Sequence, residues 1–166
     1  MRGEPRTLCY LLYMQKILIL DHIRSAYNVG SIFRTADGAG VEKIYLLGYT
    51  PAPEDRFGRP HTEIIKTSLG ACSSVRWEQV EVENLSGLIR RLKHDGYEVV
   101  AIEQTDSSID MKNWTPKDKT VFILGNEVDG VSKKLLALTD EVVEIKMKGK
   151  KESLNVSVAA GITLFH

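Results

Sequence analysis

From Lys16 onward, short apolar runs alternate with segments of helical periodicity. The first run, KILIL at 16–20, is apolar and β-branched and is typical of a buried strand. Further strands are expected at 41–48, 75–80, 97–104, 120–125 and 141–147. Helical spacing or composition marks the segments 31–40, 63–71, 85–96, 132–140 and 153–165. This alternation predicts an α/β fold with a mostly parallel sheet and helices on both faces. In such sheets, ligands bind beyond the carboxyl ends of the strands.

Length and charge limit the classes of function. The chain has 166 residues, of which 43% are hydrophobic and 27% charged, as in a globular protein with one core. Lysine plus arginine equals aspartate plus glutamate at 22 each, so the formal net charge is zero. A long electrostatic track for nucleic acid normally requires an excess of basic residues. The local exception is the stretch KMKGKK at 146–151, which holds four lysines in six residues.

The first residues stand apart from the regular pattern. The stretch TLCYLLYM imitates a signal peptide, but Gln15 and Lys16 interrupt it and no small-residue cleavage site follows. We therefore expect 1–15 to be an N-terminal extension, with Met14 as the true start and 1–13 as upstream or added sequence. Residues 16–166 are expected to form a single domain. No run approaches the roughly 20 apolar residues of a membrane span.

The cysteines and histidines give no sign of a metal site. Cys9 and Cys72 lack CxxC spacing, which favours two reduced thiols in a cytoplasmic protein. The four histidines, at 22, 61, 94 and 166, show no ligand spacing and are expected to be ordinary surface or loop residues. The sequence therefore predicts a protein without a bound metal.

A first candidate motif is NVGSIFRTADGAG, from Asn28 to Gly40. Asn28 stands where a helix N-cap is expected, and its amide oxygen could accept a free backbone N–H. Arg34 follows six residues later, about one and a half helical turns along. The purely structural alternative is a capping asparagine and a solvated arginine.

A second motif, ILGNEVDGVS, runs from Ile123 to Ser132. An apolar strand leads into Gly125, Glu127 and Gly130, and glycine permits close approaches that a side chain would block. Neither GxxxxGK[ST] nor GxGxxG is present, so this is not a known phosphate-binding loop. The structural alternative is an ordinary strand–turn–helix connection capped by Ser132.

A third motif is SLNVSVAAGITLF, which begins at Ser153. Ser153 could cap the last helix, whereas Asn155 and Ser157 are not explained by capping. Because asparagine in a first helical turn lowers helix propensity, a specific partner for Asn155 is expected.

Together and in this order, the three motifs resemble those of the SpoU/TrmH family of RNA 2′-O-ribose methyltransferases, in the SPOUT superfamily. The resemblance extends from Lys16 to Phe165. It implies a C-terminal deep trefoil knot, which sequence rules would not suggest because knots are nearly absent from proteins. It further implies S-adenosyl-L-methionine bound in the knot, tRNA or rRNA as substrate, and a homodimer with its active site near the subunit interface.

The resemblance also assigns residues. It implies that Arg34 is central to catalysis and that Asn28, Glu127 and Asn155 shape the active site. The cofactor's adenosine is expected to be held largely by backbone groups of three loops, at Ala101, Ile102, Gly125, Ile145, Met147, Ser153 and Leu154. One departure is Lys146, which stands where the family usually has proline, so the loop loses a fixed φ.

The chemistry limits what Arg34 can do. Methyl transfer from a sulfonium is an in-line displacement that requires alignment and loss of the hydroxyl proton. Since a guanidinium is almost never deprotonated, we expect Arg34 to hold the neighbouring phosphate and stabilise the developing oxyanion rather than act as base. Two alternatives remain open: a catalytically idle, knotted RNA- or nucleotide-binding dimer, and an α/β enzyme for another adenine nucleotide.

Overall fold

The computed structural model of the chain describes residues 14–166, so the expected upstream segment 1–13 lies outside the described residues. The strands are β1 (Gln15–Asp21), β2 (Val41–Leu47), β3 (Arg76–Val80), β4 (Glu98–Ile102), β5 (Ile109–Asp110), β6 (Lys119–Leu124) and β7 (Glu141–Glu144). The α-helices are α1 (Ala26–Gly38), α2 (Thr62–Ser68), α3 (Ala71–Ser74), α4 (Leu85–His94), α5 (Lys133–Leu136) and α6 (Val156–Leu164). Short 3-10 helices lie at Val82–Asn84 and Met111–Asn113.

The described strands form one sheet in the order β3-β2-β1-β6-β4-β7-β5, and every adjacent pair is parallel. In its register, Leu18 of β1 lies between Ile44 of β2 and Phe122 of β6. The predicted α/β class with a mostly parallel sheet is confirmed. The two-residue strand β5 was not predicted, since a segment that short shows no period.

Two hydrophobic cores lie on opposite faces of the sheet. Leu18 and Leu20 pack on one face with α1, α2, α3 and α6, whereas Ile17 and Ile19 pack on the other with α4 and α5. Successive strand residues point to opposite faces, so a strand covered on both sides is apolar throughout. Helices on both faces are therefore confirmed as well.

The helix α1 begins earlier than the sequence pattern suggested. Its N-cap is Ser25, whose Oγ accepts a hydrogen bond from the backbone N–H of Asn28 at 3.2 Å. The expectation that Asn28 caps this helix is therefore wrong. Asn28 lies in the first turn, and its side chain is left to make other contacts.

The capping expectation for the last helix is also wrong. Helix α6 begins at Val156, and its N-cap is Asn155 rather than Ser153. Asn155 Oδ1 accepts from the backbone N–H of Ser157 at 2.8 Å, so capping does explain part of its presence. Ser132 occupies the N-cap position of α5 but makes no side-chain capping bond.

The sheet topology brings the three motifs to one edge. The carboxyl ends of β1, β4, β6 and β7 all lie there, because all these strands are parallel. Strand β6 lies between β1 and β4, although both of those strands precede it in the sequence. In the described part of the chain, no helix is both long and apolar enough to cross a membrane.

Candidate functional site

A chain of hydrogen bonds joins the three sequence motifs. Asn28 Nδ2 donates to Glu127 Oε1 at 3.0 Å, and Asn155 Nδ2 donates to Asn28 Oδ1 at 3.1 Å. The residues come from α1, from the loop after β6 and from the start of α6. We call this Glu127–Asn28–Asn155 arrangement the polar chain. Three of the four predicted catalytic residues are thus brought together.

The environment of Glu127 keeps it ionised. Burial by itself would raise its pKa, but the hydrogen bonds from Asn28 and from backbone N–H groups outweigh burial and hold the pKa below the ordinary value. One of those backbone groups is the N–H of Arg24, 3.2 Å from Glu127 Oε2. At neutral pH Glu127 is therefore a fixed acceptor and a weak base.

A cleft of about 300 Å³ opens at this edge, between the ends of β4 and β6 and the segment that connects β7 to α6. Five of the seven predicted cofactor residues line it: Ile102, Gly125, Ile145, Ser153 and Leu154. The other two do not line the cleft.

Those two residues are Ala101 and Met147. Ala101 is completely buried within β4, one residue before the cleft-lining Ile102. Met147 is half-buried in the segment after β7. Glu127 lines the cleft as well, so the polar chain reaches its wall.

The charged lining of the cleft is acidic. Glu103, Glu127 and Glu152 face it, and none of the described lining residues is lysine, arginine or histidine. Glu103 Oε2 accepts from the backbone N–H of Val131 at 2.8 Å, so the end of β4 is attached to the loop after β6. The sequence interpretation missed Glu103, although a carboxylate directly after a buried strand marked it as a candidate.

The loop after β6 is closed by backbone pairing. Asn126 and Gly130 exchange N–H···O bonds of 2.9 and 3.0 Å, and Gly130 adopts φ of +70°. A Cβ added at Gly130 would overlap Glu103 Oε2, and one added at Gly125 would overlap the backbone at Gly130. Close packing of backbone therefore requires glycine at position 125, whereas at position 130 the positive φ and the nearby Glu103 carboxylate together favour it.

The buried Asn126 holds this loop against its neighbours and was also missed from the sequence. Its Nδ2 donates to the His22 carbonyl and to the Tyr49 hydroxyl, both at 2.7 Å. Its Oδ1 accepts from the backbone N–H groups of Val128 and Asp129. An asparagine between Gly125 and Glu127 was the available signal.

His22 is not the ordinary loop residue that was expected. Its Nδ1 lies 2.6 Å from Oδ1 of the buried Asp21, and its ring packs edge-on against Tyr49. Asp21 Oδ2 accepts from the backbone N–H of Ser132 at 2.7 Å, which fixes the end of β1 to the loop after β6. Among the residues described, no cluster of three or more histidine, cysteine, aspartate or glutamate side chains could hold a metal.

Arg34 lies apart from the polar chain. It is exposed on α1 and does not line the cleft. Within residues 14–166, no carboxylate lies within ion-pair distance of its guanidinium. Tyr27 and Ser31 share its face of α1, since residues at three- and four-residue spacing are neighbours on a helix.

Comparisons with known proteins agree on one family. The model of the SpoU rRNA Methylase family matches residues 15–165. The 23S rRNA (guanosine-2′-O-)-methyltransferase RlmB of Neisseria meningitidis is 33% identical over 148 residues, which cover 89% of this chain and 56% of that protein. The tRNA (guanosine(18)-2′-O)-methyltransferase of Aquifex aeolicus is 31% identical over 90% of this chain and 66% of its own length.

Solved structures show the same fold. The AdoMet-bound rRNA methyltransferase from Sinorhizobium meliloti superposes with a TM-score of 0.78 at 30% identity, over 91% of this chain and 54% of that one. The TrmH/SpoU tRNA modifying enzyme of A. aeolicus gives 0.76 at 28% identity, over 95% and 77%. The chain thus spans little more than half the length of several of its relatives.

Proposed function

The chain belongs to the SpoU rRNA methylase family, and from that membership we propose that it transfers a methyl group from S-adenosyl-L-methionine to a ribose 2′-hydroxyl of tRNA or rRNA. Similar proteins carry the names of guanosine 2′-O-methyltransferases for 23S rRNA and for tRNA. The observation that carries the proposal is the polar chain, which brings Asn28, Glu127 and Asn155 to the wall of a cleft. Residues 16–166 form the methyltransferase domain in this proposal.

The cleft suits the proposed methyl donor. Apolar side chains such as Ile102, Ile145 and Leu154 can contact an adenine ring, and the closely packed backbone at Gly125 offers polar groups. The three carboxylates in the wall favour a ligand with positive charge. ATP or NAD would bring phosphates to an acidic surface, which argues against the alternative of another adenine nucleotide.

S-adenosyl-L-methionine, when bound, supplies a methyl group on a positively charged sulfur. The residues of this chain supply position and electrostatics. Ionised Glu127 fixes the orientation of Asn28, and Asn28 fixes that of Asn155, so the amide groups present a set arrangement to a ribose. Because the pKa of Glu127 is lowered, its carboxylate is a poor acceptor for the proton of the ribose 2′-hydroxyl. That proton passes instead to water or to an adjacent phosphate.

We further propose that two copies of the chain pair through α1 and α6. These helices pack side by side, and on α6 the apolar side chains of Val158 and Ile162, four residues apart, are 49% and 42% exposed. An apolar helical stripe of this kind is typical of an interface. Arg34, exposed on the adjoining helix, then serves the cleft of the partner subunit.

A mixed dimer tests this role of Arg34. Subunits carrying Arg34→Ala are paired with subunits carrying Glu127→Ala, each inactive as a homodimer. If Arg34 acts across the interface, one cleft of the mixed dimer is intact and about half of the activity returns. If Arg34 acts within its own subunit, both clefts are defective and no activity returns. Arg34→Lys with near-full turnover would contradict a bidentate guanidinium role.

The trefoil knot and the cytoplasmic location belong to the same proposal. The knot is supported by β6, which lies between two earlier strands, and by Gln104 Nε2, which donates to the Glu152 carbonyl at 2.7 Å across the segment before α6. Joining the two chain ends covalently and then denaturing the protein tests the knot. A knotted ring remains more compact after denaturation than an unknotted ring of the same length. Cell fractionation tests the location.

The main experiment measures binding and transfer separately. Calorimetry compares S-adenosyl-L-methionine with ATP and NAD. Tritiated donor is then incubated with total tRNA and rRNA, and the modified position is mapped through the resistance of 2′-O-methylated sites to alkaline hydrolysis. We expect donor binding and ribose methylation, both reduced in Asn155→Ala. Donor binding without transfer to any RNA would support the idle dimer instead.

A further inference from the structure

The loop between β2 and α2 contains an ordered hairpin that the proposed function does not use. Glu54 and Pro60 form an antiparallel bridge, and the backbone N–H of Asp55 donates to the Arg59 carbonyl at 3.0 Å. Asp55 Oδ1 accepts from the backbone N–H groups of Phe57 and Arg59 at 2.8 and 3.0 Å. We call residues 54–60 the 54–60 hairpin.

The tip of this hairpin presents one aromatic ring and two guanidinium groups to water. The side chain of Phe57 is 67% exposed, and the guanidinium carbons of Arg56 and Arg59 lie 4.8 and 5.2 Å from its ring centre. Such an exposed ring contributes nothing to the core. Because the turn is held by several hydrogen bonds, the ring is presented in a preorganised position.

The two arginines differ in their partners. Arg59 Nε donates to Asp55 Oδ2 at 2.7 Å. The backbone N–H of Arg59, and then this guanidinium contact, lower the pKa of Asp55 below its ordinary value. Arg56 has no carboxylate within ion-pair distance among the described residues. The charge of Arg59 is therefore neutralised locally, whereas that of Arg56 is available to an anion.

The loop that carries the hairpin begins beside the cleft. The loop begins with Tyr49, which is 55% exposed and whose hydroxyl accepts the hydrogen bond from the cleft residue Asn126. Arg24 is exposed beside it, and the Tyr49 hydroxyl is the largest influence that raises its pKa. The hairpin follows β2, whose carboxyl end lies on the same sheet edge as the cleft. Aromatic and guanidinium groups thus lie beside the cleft, at Tyr49 and Arg24, and again on the hairpin farther along the same loop.

We propose that the 54–60 hairpin recognises the RNA substrate by stacking an unpaired base on Phe57, with Arg56 bound to a backbone phosphate. This inference rests on the proposed function and adds that the substrate nucleotide lies in a single-stranded or looped segment. Stacking on aromatic side chains accepts any base and gains free energy without a large positive charge. Recognition by stacking is therefore compatible with a chain of zero net charge.

The test measures RNA binding by fluorescence anisotropy. The probes are a fluorescein-labelled single-stranded oligoadenylate and the same strand paired with oligouridylate. We expect the wild-type chain to bind the single strand more tightly than the duplex. Phe57→Ala should weaken single-strand binding by about 10- to 100-fold, Phe57→Leu should weaken it similarly, and Phe57→Trp should preserve it.

Salt dependence separates the role of Arg56. Losing one phosphate contact should reduce the slope of log affinity against log salt by about 0.7 for a single strand. Arg56→Gln is expected to show this change, whereas Phe57→Ala should leave the slope unaltered. The control is Arg90→Gln, an exposed arginine on α4 at the other face of the sheet.

The outcomes distinguish this inference from the proposed function. The inference is overturned if Phe57→Ala and Phe57→Leu bind the single strand within twofold of wild type, or if the duplex binds equally well. In either case, donor binding and RNA methylation by the wild-type chain would leave the function standing. Conversely, a chain that binds no donor loses the proposed function, whatever the hairpin variants show.

Discussion

At the scale of single residues, the site depends on the two ends of one amide. Asn28 uses its nitrogen to hold Glu127 and its oxygen to receive Asn155, so both neighbours require the same orientation of the side chain. Asparagine can donate and accept at once, which neither aspartate nor leucine can do. Position 28 therefore requires a side chain that donates and accepts at the same time, and not merely a polar one.

Asn28→Asp removes the donor and places a second carboxylate about 3.0 Å from Glu127. Like charges raise the pKa of one member of such a pair above its unfolded value. The variant should therefore be most stable below that raised pKa and lose stability, by about 1–3 kcal/mol, as pH rises through it. Its methyl transfer at pH 8 should fall about 10- to 100-fold and partly recover at lower pH.

Urea denaturation and methylation assays over a series of pH values check this prediction. Asn84→Asp, at an exposed position before α4, is the control and should show neither effect. A variant whose activity falls equally at every pH would show that repulsion from Glu127 is not the cause.

Gly130 provides a second test at the same scale. Gly130→Ala introduces both a strained positive φ and an overlap with Glu103. Gly40→Ala has the same φ of +70° but open space around the new Cβ, so it carries the strain alone. Strain should cost each variant about 1 kcal/mol. Only Gly130→Ala should also weaken donor binding, measured by calorimetry; equal affinities would contradict the close packing.

At the scale of elements, a buried lysine joins the ends of two helices. Lys16 is 4% exposed, and its Nζ donates to the Leu164 carbonyl at 2.9 Å and to the Ala39 carbonyl at 3.4 Å. These carbonyls belong to the C-terminal ends of α6 and α1, where a positive charge is favourable. Lys16 therefore helps to keep the two helices aligned behind the polar chain.

Lys16→Met should lower the free energy of unfolding by about 1–3 kcal/mol, because it leaves buried carbonyls without a donor. Lys119→Met is the matched control, since Lys119 caps the Asp95 carbonyl at 3.2 Å in an exposed position and should cost under about 1 kcal/mol. Burial lowers the pKa of Lys16. The wild-type chain should thus gain stability relative to Lys16→Met as pH rises from that lowered pKa toward the unfolded value.

Helices and strands with an extended periodic pattern could be predicted from the sequence, whereas the first residues of the helices could not. The apolar spacing of Leu85, Leu88 and Leu92 gave α4 closely, and β1 and β6 differed from expectation by about one residue. The starts of α1 and α6 were misplaced because several serines and asparagines compete for each N-cap. Which one caps is decided by tertiary contacts, such as the bond from Asn155 to Asn28.

At the scale of the whole molecule, the proposed dimer makes a clear prediction. Val158→Asp places a charge in the exposed apolar stripe on α6, where the side chain is 49% exposed. Within one subunit the carboxylate stays in water, so the fold should survive. Light scattering should report half the wild-type mass, and methylation should fall to background if each cleft needs its partner's Arg34.

Ile65→Asp, which changes an exposed apolar residue of α2 to aspartate, is the control and should remain dimeric. If Val158→Asp keeps both the wild-type mass and its activity, the interface lies elsewhere.

The sequence supported the class of fold and the three motifs, but it did not predict how the strands are ordered. Strand order depends on contacts between residues about a hundred positions apart, such as Ile17 with Val121, which no local period reveals. The partner of the Glu103 carboxylate could not be named for the same reason, since Val131 lies 28 residues away. Motif residues could be named, but their partners required the packed structure.

The place of β6 in the sheet has a consequence for the order of events during synthesis. Strands β1 and β4 cannot become final neighbours, because β6 must later occupy the space between them. A nascent chain that has emerged only as far as Asp118 therefore lacks the central strand of its own sheet. Productive folding has to wait until Leu124 has left the ribosome. Until then, early collapse of the N-terminal half competes with the slow, long-range pairing of β6 with β1 and β4.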